Sequence, residues 1–293
     1  MSKYRLVWRI SFLLIPLGLY TVIVIGPLLY SFYYSFTNWN GFSPIYDFVG
    51  LYNFLKVFRD PLFANAIKNT LIWTLSAILL PTLLGLFLAL MLDTKIKGSN
   101  FYKSIFYLPI CLAPIVVGQI WIWIYQPDWG LLNTLLSGLG FEEYTLAWLA
   151  NPKTSLIAVI IAWSWQQTGL AMVIFLSGLT TIPNNLLEAA EIDGAAKHQK
   201  IFKIVIPLLK PSTIVVVALS VINSLKGFDI VYIMTDGGPF HSSDTLAIFM
   251  YNESFKKYLM GYGSAISVVL FMITLVIIIF YFRQIKTLDK LYA

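Results

Sequence analysis

Apolar residues in this chain fall in long stretches rather than in strand-length runs or alternating patterns. Six stretches approach the roughly 20 residues needed to cross a bilayer as a helix. They are 11–32, 71–92, 105–125, 156–179, 204–225 and 264–282. Several contain helix-interrupting residues: Pro16, Gly26 and Pro27 in the first, Pro81 and Gly85 in the second, Pro109 and Pro114 in the third. In lipid, the backbone groups such residues free are satisfied by neighbouring helices. The pattern therefore predicts an all-α fold: a polytopic membrane helical bundle of six transmembrane helices, one domain over residues 1–293.

Composition removes the soluble alternative. The chain is 58% hydrophobic and 12% charged, with a mean hydropathy of +0.77, against about 25% charged residues in soluble domains. The net charge of +6 does not imply nucleic acid, because the basic residues lie between the spans. Their distribution sets orientation. One set of segments holds Lys3, Arg5, Arg9, Lys95, Lys97, Lys103, Lys197, Lys200, Lys203, Lys210, Arg283, Lys286 and Lys290. The other holds Lys56, Arg59, Lys68, Lys153, Lys226, Lys256 and Lys257. The first set outnumbers the second nearly two to one, which puts both termini in the cytoplasm. Bulky Tyr30, Phe32, Tyr33 and Tyr34 follow the first span where a leader peptide has small residues, so an uncleaved span is expected. Cys111 reads as a small hydrophobe, and His198 and His241 lie in separate loops, so no metal site is suggested.

The connection at 182–211 stands apart, because it reads as two short helices. Asn185 with Glu188 resembles a capping box. Leu186, Leu187, Ala190 and Ile192 form one apolar side, and Ala189 is small enough for close approach. Asp193-Gly194 breaks the helix, with Asp193 able to cap the second one. Phe202 and Ile206 lead into the next span, whose start Pro207 and Pro211 bend. On these grounds alone the segment equally fits an ordinary interfacial amphipathic helix.

Glu188-Ala189-Ala190, then Asp193-Gly194-Ala195, then Ile204, Pro207 and Pro211 resemble the EAA loop of permeases from binding-protein-dependent ABC importers. The likeness covers nearly the whole chain. Asn69-Thr70, Leu108-Pro109, Gly130-Leu131-Leu132-Asn133, Phe228-Asp229 and Thr235-Asp236-Gly237-Gly238-Pro239 are similar to the carbohydrate-uptake branch, of the maltose-transporter type. The resemblance implies a type I ABC importer transmembrane domain in the bacterial inner membrane. It implies that Glu188, Ala189, Ala190, Asp193, Gly194, Ala195, Ile204 and Pro207 couple the chain to an ATPase. It further implies a second permease, two ATPase subunits that hold ATP and Mg, and an extracytoplasmic solute-binding protein. This chain then binds no cofactor and is not an enzyme, in keeping with the absence of a Gly-x-x-x-x-Gly-Lys-[Ser/Thr] loop in its sequence.

Few ionisable residues lie deep in a span, which favours a neutral substrate and an external energy source over ion coupling. A self-sufficient secondary carrier is the rival; it predicts helices broken around coupling charges and internal repeats. Uncharged polar and aromatic residues do interrupt the spans. Trp163, Trp165, Gln166, Gln167, Ser220, Asn223, Ser224 and Gly227 are the candidate path for a sugar, with Trp121 and Trp123 nearby in the third span. The resemblance places Trp165, Gln166, Ser220, Ser224 and Gly227 at or near sugar-contact positions. Ile110 and Pro114 are apolar where that branch has polar contacts. Each of these residues equally fits helix packing or an interfacial belt. The 235–239 run fits either a gate or a plain turn leading to an amphipathic stretch at 246–255.

Overall fold

The structure, a computed structural model, describes residues 3–93, 98–225 and 227–292. Lys95, Lys97 and Lys226 of the charge reading lie outside the described residues, as do the side chains of Lys3, Arg5, Arg9, Lys286 and Lys290. The described chain is helical, with no strand beyond an isolated bridge between Thr37 and Phe48. Helix α1 (Lys3–Tyr20) passes through a π-turn at Thr21–Ile25 into α2 (Gly26–Tyr34). There follow α3 (Tyr52–Arg59), α4 (Pro61–Leu92), α5 (Ser99–Tyr107), α6 (Pro114–Ile124), α7 (Leu131–Gly138) and α8 (Ser155–Leu179). Then come α9 (Asn184–Ile192), α10 (Lys197–Lys200), α11 (Ile206–Leu208), α12 (Lys210–Leu225), α13 (Phe228–Met234), α14 (Leu246–Tyr251) and α15 (Met260–Tyr292).

Four stretches are long and apolar enough to span: Ser11–Tyr34, Pro61–Leu92, Ser155–Leu179 and Met260–Ile279. Two bent pairs bring the number to six, so the third and fifth expected spans are not single straight helices. In the third, Ser99–Cys111 and Pro114–Ile124 meet at 105°. The cause is local: Pro disfavours a helical conformation in the residue before it, and Leu112 and Ala113 ahead of Pro114 are extended, both with ψ 143°. In the fifth, Lys197–Leu208 and Lys210–Leu225 meet at 65°, between Pro207 and Pro211. The second span starts earlier than expected. Asp60 Oδ1 accepts a hydrogen bond from the Leu62 amide at 2.9 Å, and Pro61 occupies the first turn, a strong helix start. Cys111 is exposed at the corner of the third span.

The chain divides into two compact units, Met1–Ala64 with Phe249–Val276, and Asn65–Ile248 with Ile277–Ala293. In the first, Asn53 joins α2 to α3: its Nδ2 donates to the Ser35 and Thr37 carbonyls at 2.9 and 2.7 Å. The Tyr262 hydroxyl donates to Asp60 Oδ2 at 2.9 Å, while Lys56 Nζ lies 4.4 Å from the centre of the Tyr262 ring. Buried Glu253 holds Lys257 at 2.6 Å. The apolar stretch of Ser11–Tyr34 has no buried residue in this chain.

The second unit packs around α8. One apolar cluster contains Trp73, Val117, Val159, Trp163 and Ile230. Another contains Ala89, Met172, Phe175, Val205, Leu209 and Val216. Small residues set the spacing, as in membrane bundles generally. A Cβ on Gly169 would lie 2.2 Å from the Phe106 carbonyl oxygen, and one on Gly85 2.8 Å from the Met172 amide nitrogen.

Asn133 organises the 126–154 connection. It is buried; its Nδ2 donates to the Pro127 and Leu146 carbonyls at 2.9 and 3.0 Å, and its Oδ1 accepts from Trp148 Nε1 at 2.7 Å. Replacing it with Ala strands three groups, at about 1–3 kcal/mol for each that stays buried. The expected result for Asn133→Ala is rapid proteolysis within 126–154 and a lower unfolding midpoint in detergent. Wild-type protease resistance would show that the staple is dispensable.

Candidate functional site

The 182–211 segment does form two short helices separated by a turn. The capping expected from Asn185 and Glu188 is not there: α9 begins at Asn184, Pro183 precedes it, and no side chain caps it. Asp193 does not cap the following helix either; it closes α9. Its amide and those of Gly194 and Ala195 donate to the carbonyls of Ala189, Glu191 and Ala190 at 3.0, 3.0 and 2.9 Å. Gly194 has φ +77°, the left-handed conformation favoured for glycine just past a helix end. Gln199 supplies the cap that sequence reading missed: its Oε1 accepts the Ala196 amide at 2.9 Å. Lys200 pairs with Glu191 across the turn. The Lys200 hydrogen bond, with its charge, holds the Glu191 carboxyl below the usual carboxylate range. Leu187 packs on the cluster around Phe175 and Leu209. Glu188, Ala189, Asp193, Gly194 and Pro207 are exposed, while Ala190, Ala195 and Ile204 are half-buried. Ile192 is 87% and Phe202 69% exposed. The segment is thus a folded element with a rigid turn and an unburied apolar side.

The corner of the third span opens a second candidate. Ile110, Leu112 and Pro114 line a cavity of about 290 Å³ together with Trp163, Gln166, Gln167, Asn223, Gly227, Asp229 and Ile230. Five predicted path residues, Trp163, Gln166, Gln167, Asn223 and Gly227, therefore share one cavity. Gln166 is 2% exposed. Its Nε2 donates to the Leu112 carbonyl at 2.8 Å, satisfying a backbone group that the bend releases. Its Oε1 has no protein partner. Asn223 Nδ2 donates to Gln167 Oε1 at 3.2 Å. Trp73, which sequence reading passed over, backs this wall. Its Nε1 donates to the Ser224 carbonyl at 2.9 Å, its ring centre is 5.5 Å from that of Trp163, and a Cβ on Gly227 would lie 2.8 Å from it.

Three predicted path residues lie elsewhere. Trp165 faces the opposite side of α8, in an apolar groove of about 500 Å³ with Trp121, Tyr125 and Trp148. That separation follows from helical geometry, since neighbouring positions point about 100° apart. Ser224 is buried, its hydroxyl donating to the Val221 carbonyl at 2.9 Å. Ser220 lines only a narrow adjoining crevice. Asp229, of the Phe228-Asp229 pair, belongs to the cavity wall.

The 235–239 turn is tightly anchored. Asn69 Nδ2 donates to the Ser242 and Asp244 carbonyls at 3.1 and 3.0 Å, and the Leu246 amide donates to Thr70 Oγ1 at 2.9 Å. The Ser243 hydroxyl reaches the Gly238 carbonyl at 2.7 Å. Gly237, with φ +85°, is the demanding glycine: a Cβ there would overlap Asp244. Gly238 would meet only the Thr235 carbonyl, at 3.1 Å. In the helix that follows, Leu246 and Ile248 are buried.

Residues 81–290 match the family described as binding-protein-dependent transport system inner membrane component. The chain is 38% identical over 93% of both chains to a probable ABC transporter permease protein of Pyrococcus horikoshii. It is 35% identical to a multiple sugar-binding transport system permease protein of Streptococcus mutans, covering 93% of this chain and 92% of that one. It is 34% identical to a trehalose/maltose transport system permease protein of Thermococcus litoralis, covering 96% and 95%. Its fold matches, with a TM-score of 0.82 at 22% identity and 96% coverage of both chains, a bacterial ABC transporter involved in the import of the acidic polysaccharide alginate.

Gln166 and Gln167 are adjacent and chemically identical, yet they hold different partners. Gln166→Leu leaves the Leu112 carbonyl unpaired at the corner, a loss of about 1–3 kcal/mol. It should lower the unfolding midpoint by several degrees, whereas Gln167→Leu should leave it near wild type. Equal midpoints for the two variants would refute the assignment of Gln166 to the bend.

Proposed function

The chain belongs to the family of binding-protein-dependent transport system inner membrane components, and we propose that it is the permease of an importer that moves a sugar. The observation that carries this reading is the α9–turn–α10 element, whose rigid Gly194 turn presents exposed Glu188, Ala189, Ile192 and Phe202. A soluble ATPase subunit docks on that element, so that closure around ATP and Mg moves the helix pair. The bend at Leu209 passes the displacement into α12, which carries Asn223 on the cavity wall. Burial of Leu187 and Leu209 in one cluster makes the docking element and the start of α12 a mechanical unit.

The cavity formed by Trp163, Gln166, Gln167, Asn223 and Gly227 is this chain's half of the sugar path, completed by a second permease. Neutral amides beside an indole suit sugar hydroxyls and the apolar face of a pyranose ring. The sugar-transport names of the Streptococcus mutans and Thermococcus litoralis relatives support the substrate class. An extracytoplasmic binding protein delivers the sugar, and ATP-driven uptake replaces the ion coupling of a self-sufficient carrier. Both termini lie in the cytoplasm and the chain sits in the inner membrane. In vesicles, uptake should require the ATPase, the second permease and the binding protein together; sugar accumulation by this chain alone would overturn the reading.

Two measurements test its parts. At Gly194 a side chain would meet open space, so Gly194→Val acts only through the backbone, at about 1–2 kcal/mol of local strain. It should leave the assembled complex intact and cut uptake at least about tenfold, a shift of 1.4 kcal/mol. Normal uptake with normal assembly would remove the coupling role.

For orientation, Cys111→Ser supplies a background free of the one native cysteine. A cysteine replacing Lys200 should then react only from the cytoplasm, and one replacing Glu142 only from outside. Reversed labelling would invert the topology and detach the α9–α10 element from any cytoplasmic ATPase.

A further inference from the structure

Resting on the reading of this cavity as a sugar path, we infer that Asp229 makes it selective for uncharged sugars over acidic ones. Among the described residues that line the cavity, Asp229 is the one with an ionisable side chain. Gln166 is 2% exposed; its amide nitrogen donates to the Leu112 carbonyl, and its Oε1 is buried without a protein partner. The Asn223–Gln167 bond uses one donor of Asn223 and the carbonyl of Gln167, so the pair keeps donors on both nitrogens and an acceptor on Asn223 Oδ1. Asp229 adds a carboxylate, which at neutral pH accepts and cannot donate. No Lys, Arg or His is among the described residues that line the cavity.

Amides that keep both donors and an acceptor match sugar hydroxyls, which donate and accept. A uronic acid or sulfonate sets a negative charge against Asp229. Asp229 is exposed in this chain alone; once the second permease closes the cavity, the repulsion between two such groups is screened less than in water. The apolar Ile110, Leu112 and Pro114 across the cavity offer nothing to offset it. Asp229 therefore acts as a charge filter, while Gln167 and Asn223 recognise hydroxyls whatever the charge.

The test reads binding directly, so that the preference of the binding protein does not enter. The complete complex is placed in nanodiscs with Cys111→Ser and with Ile110→Cys as a reporter on the cavity wall. The maleimide reaction of that cysteine is timed with a panel of neutral di- and trisaccharides, each paired with its uronic-acid counterpart. With Asp229 present, neutral sugars should protect at concentrations about tenfold or more below their acidic partners, a gap of 1.4 kcal/mol per decade. Asp229→Asn should bring each pair within about twofold, while Asp229→Glu, which keeps the charge, should retain the gap. An unchanged gap in Asp229→Asn, or equal protection by both members of a pair in the presence of Asp229, overturns the filter. Protection by no neutral sugar overturns it too. ATP-driven uptake of the same pairs by the same complex then shows whether the permease reading has failed with it.

Discussion

A backbone carbonyl freed inside a membrane has no water to bond, and this constraint shapes the site. The third span turns through 105°, which releases polar groups that protein must satisfy. Gln166, from the middle of α8, answers at Leu112 with a 2.8 Å bond. The same bend moves Ile110 and Pro114 aside and creates the cavity. The cavity is therefore a by-product of a broken helix whose broken end is paid for by one buried amide, and the residues lining it follow from the position of the break.

Much of this was legible in the sequence. The six apolar stretches mark the spans, and two interrupted ones, with Pro109 and Pro114 or Pro207 and Pro211, mark the bent pairs. The angle was not legible, because proline within a membrane helix is compatible with a slight kink or a full corner, and tertiary contacts decide. The earlier start of α4 was signalled by Asp60-Pro61, overlooked because polar Asn65, Lys68 and Asn69 disguise a helix that extends beyond its apolar part. Trp165 and Gln166 are neighbours in sequence and part company in space, as any two successive helix positions must. Trp73 could not be found from its own surroundings, since its partners at Ser224 and Gly227 are some 150 residues away.

Motifs that suggest chemistry can instead be architecture. Asn69-Thr70 and Asn133 both work on the main chain of a distant or folded-back segment. Each uses a short polar side chain to fix a connection that has no regular hydrogen-bonding pattern of its own. Ser224 belongs with them, because its backbone carbonyl is what Trp73 holds. Polar atoms not consumed in this way are few among the described span residues: Thr82 Oγ1, Trp121 Nε1, Ser164 Oγ and Gln166 Oε1 are buried without a protein partner.

The glycines of α8 and α4 limit how the unit can deform. At Gly169 and Gly85 main chain lies against main chain or a methyl group, so no flexible side chain stands between the helices to absorb sliding. A change of rotamer has nothing to act on there. Helices α4, α5 and α8 must then travel together as one strut, with their relative register frozen. Within this unit the two corners, Leu112–Ala113 and Leu209, are then the joints at which the helices can rotate.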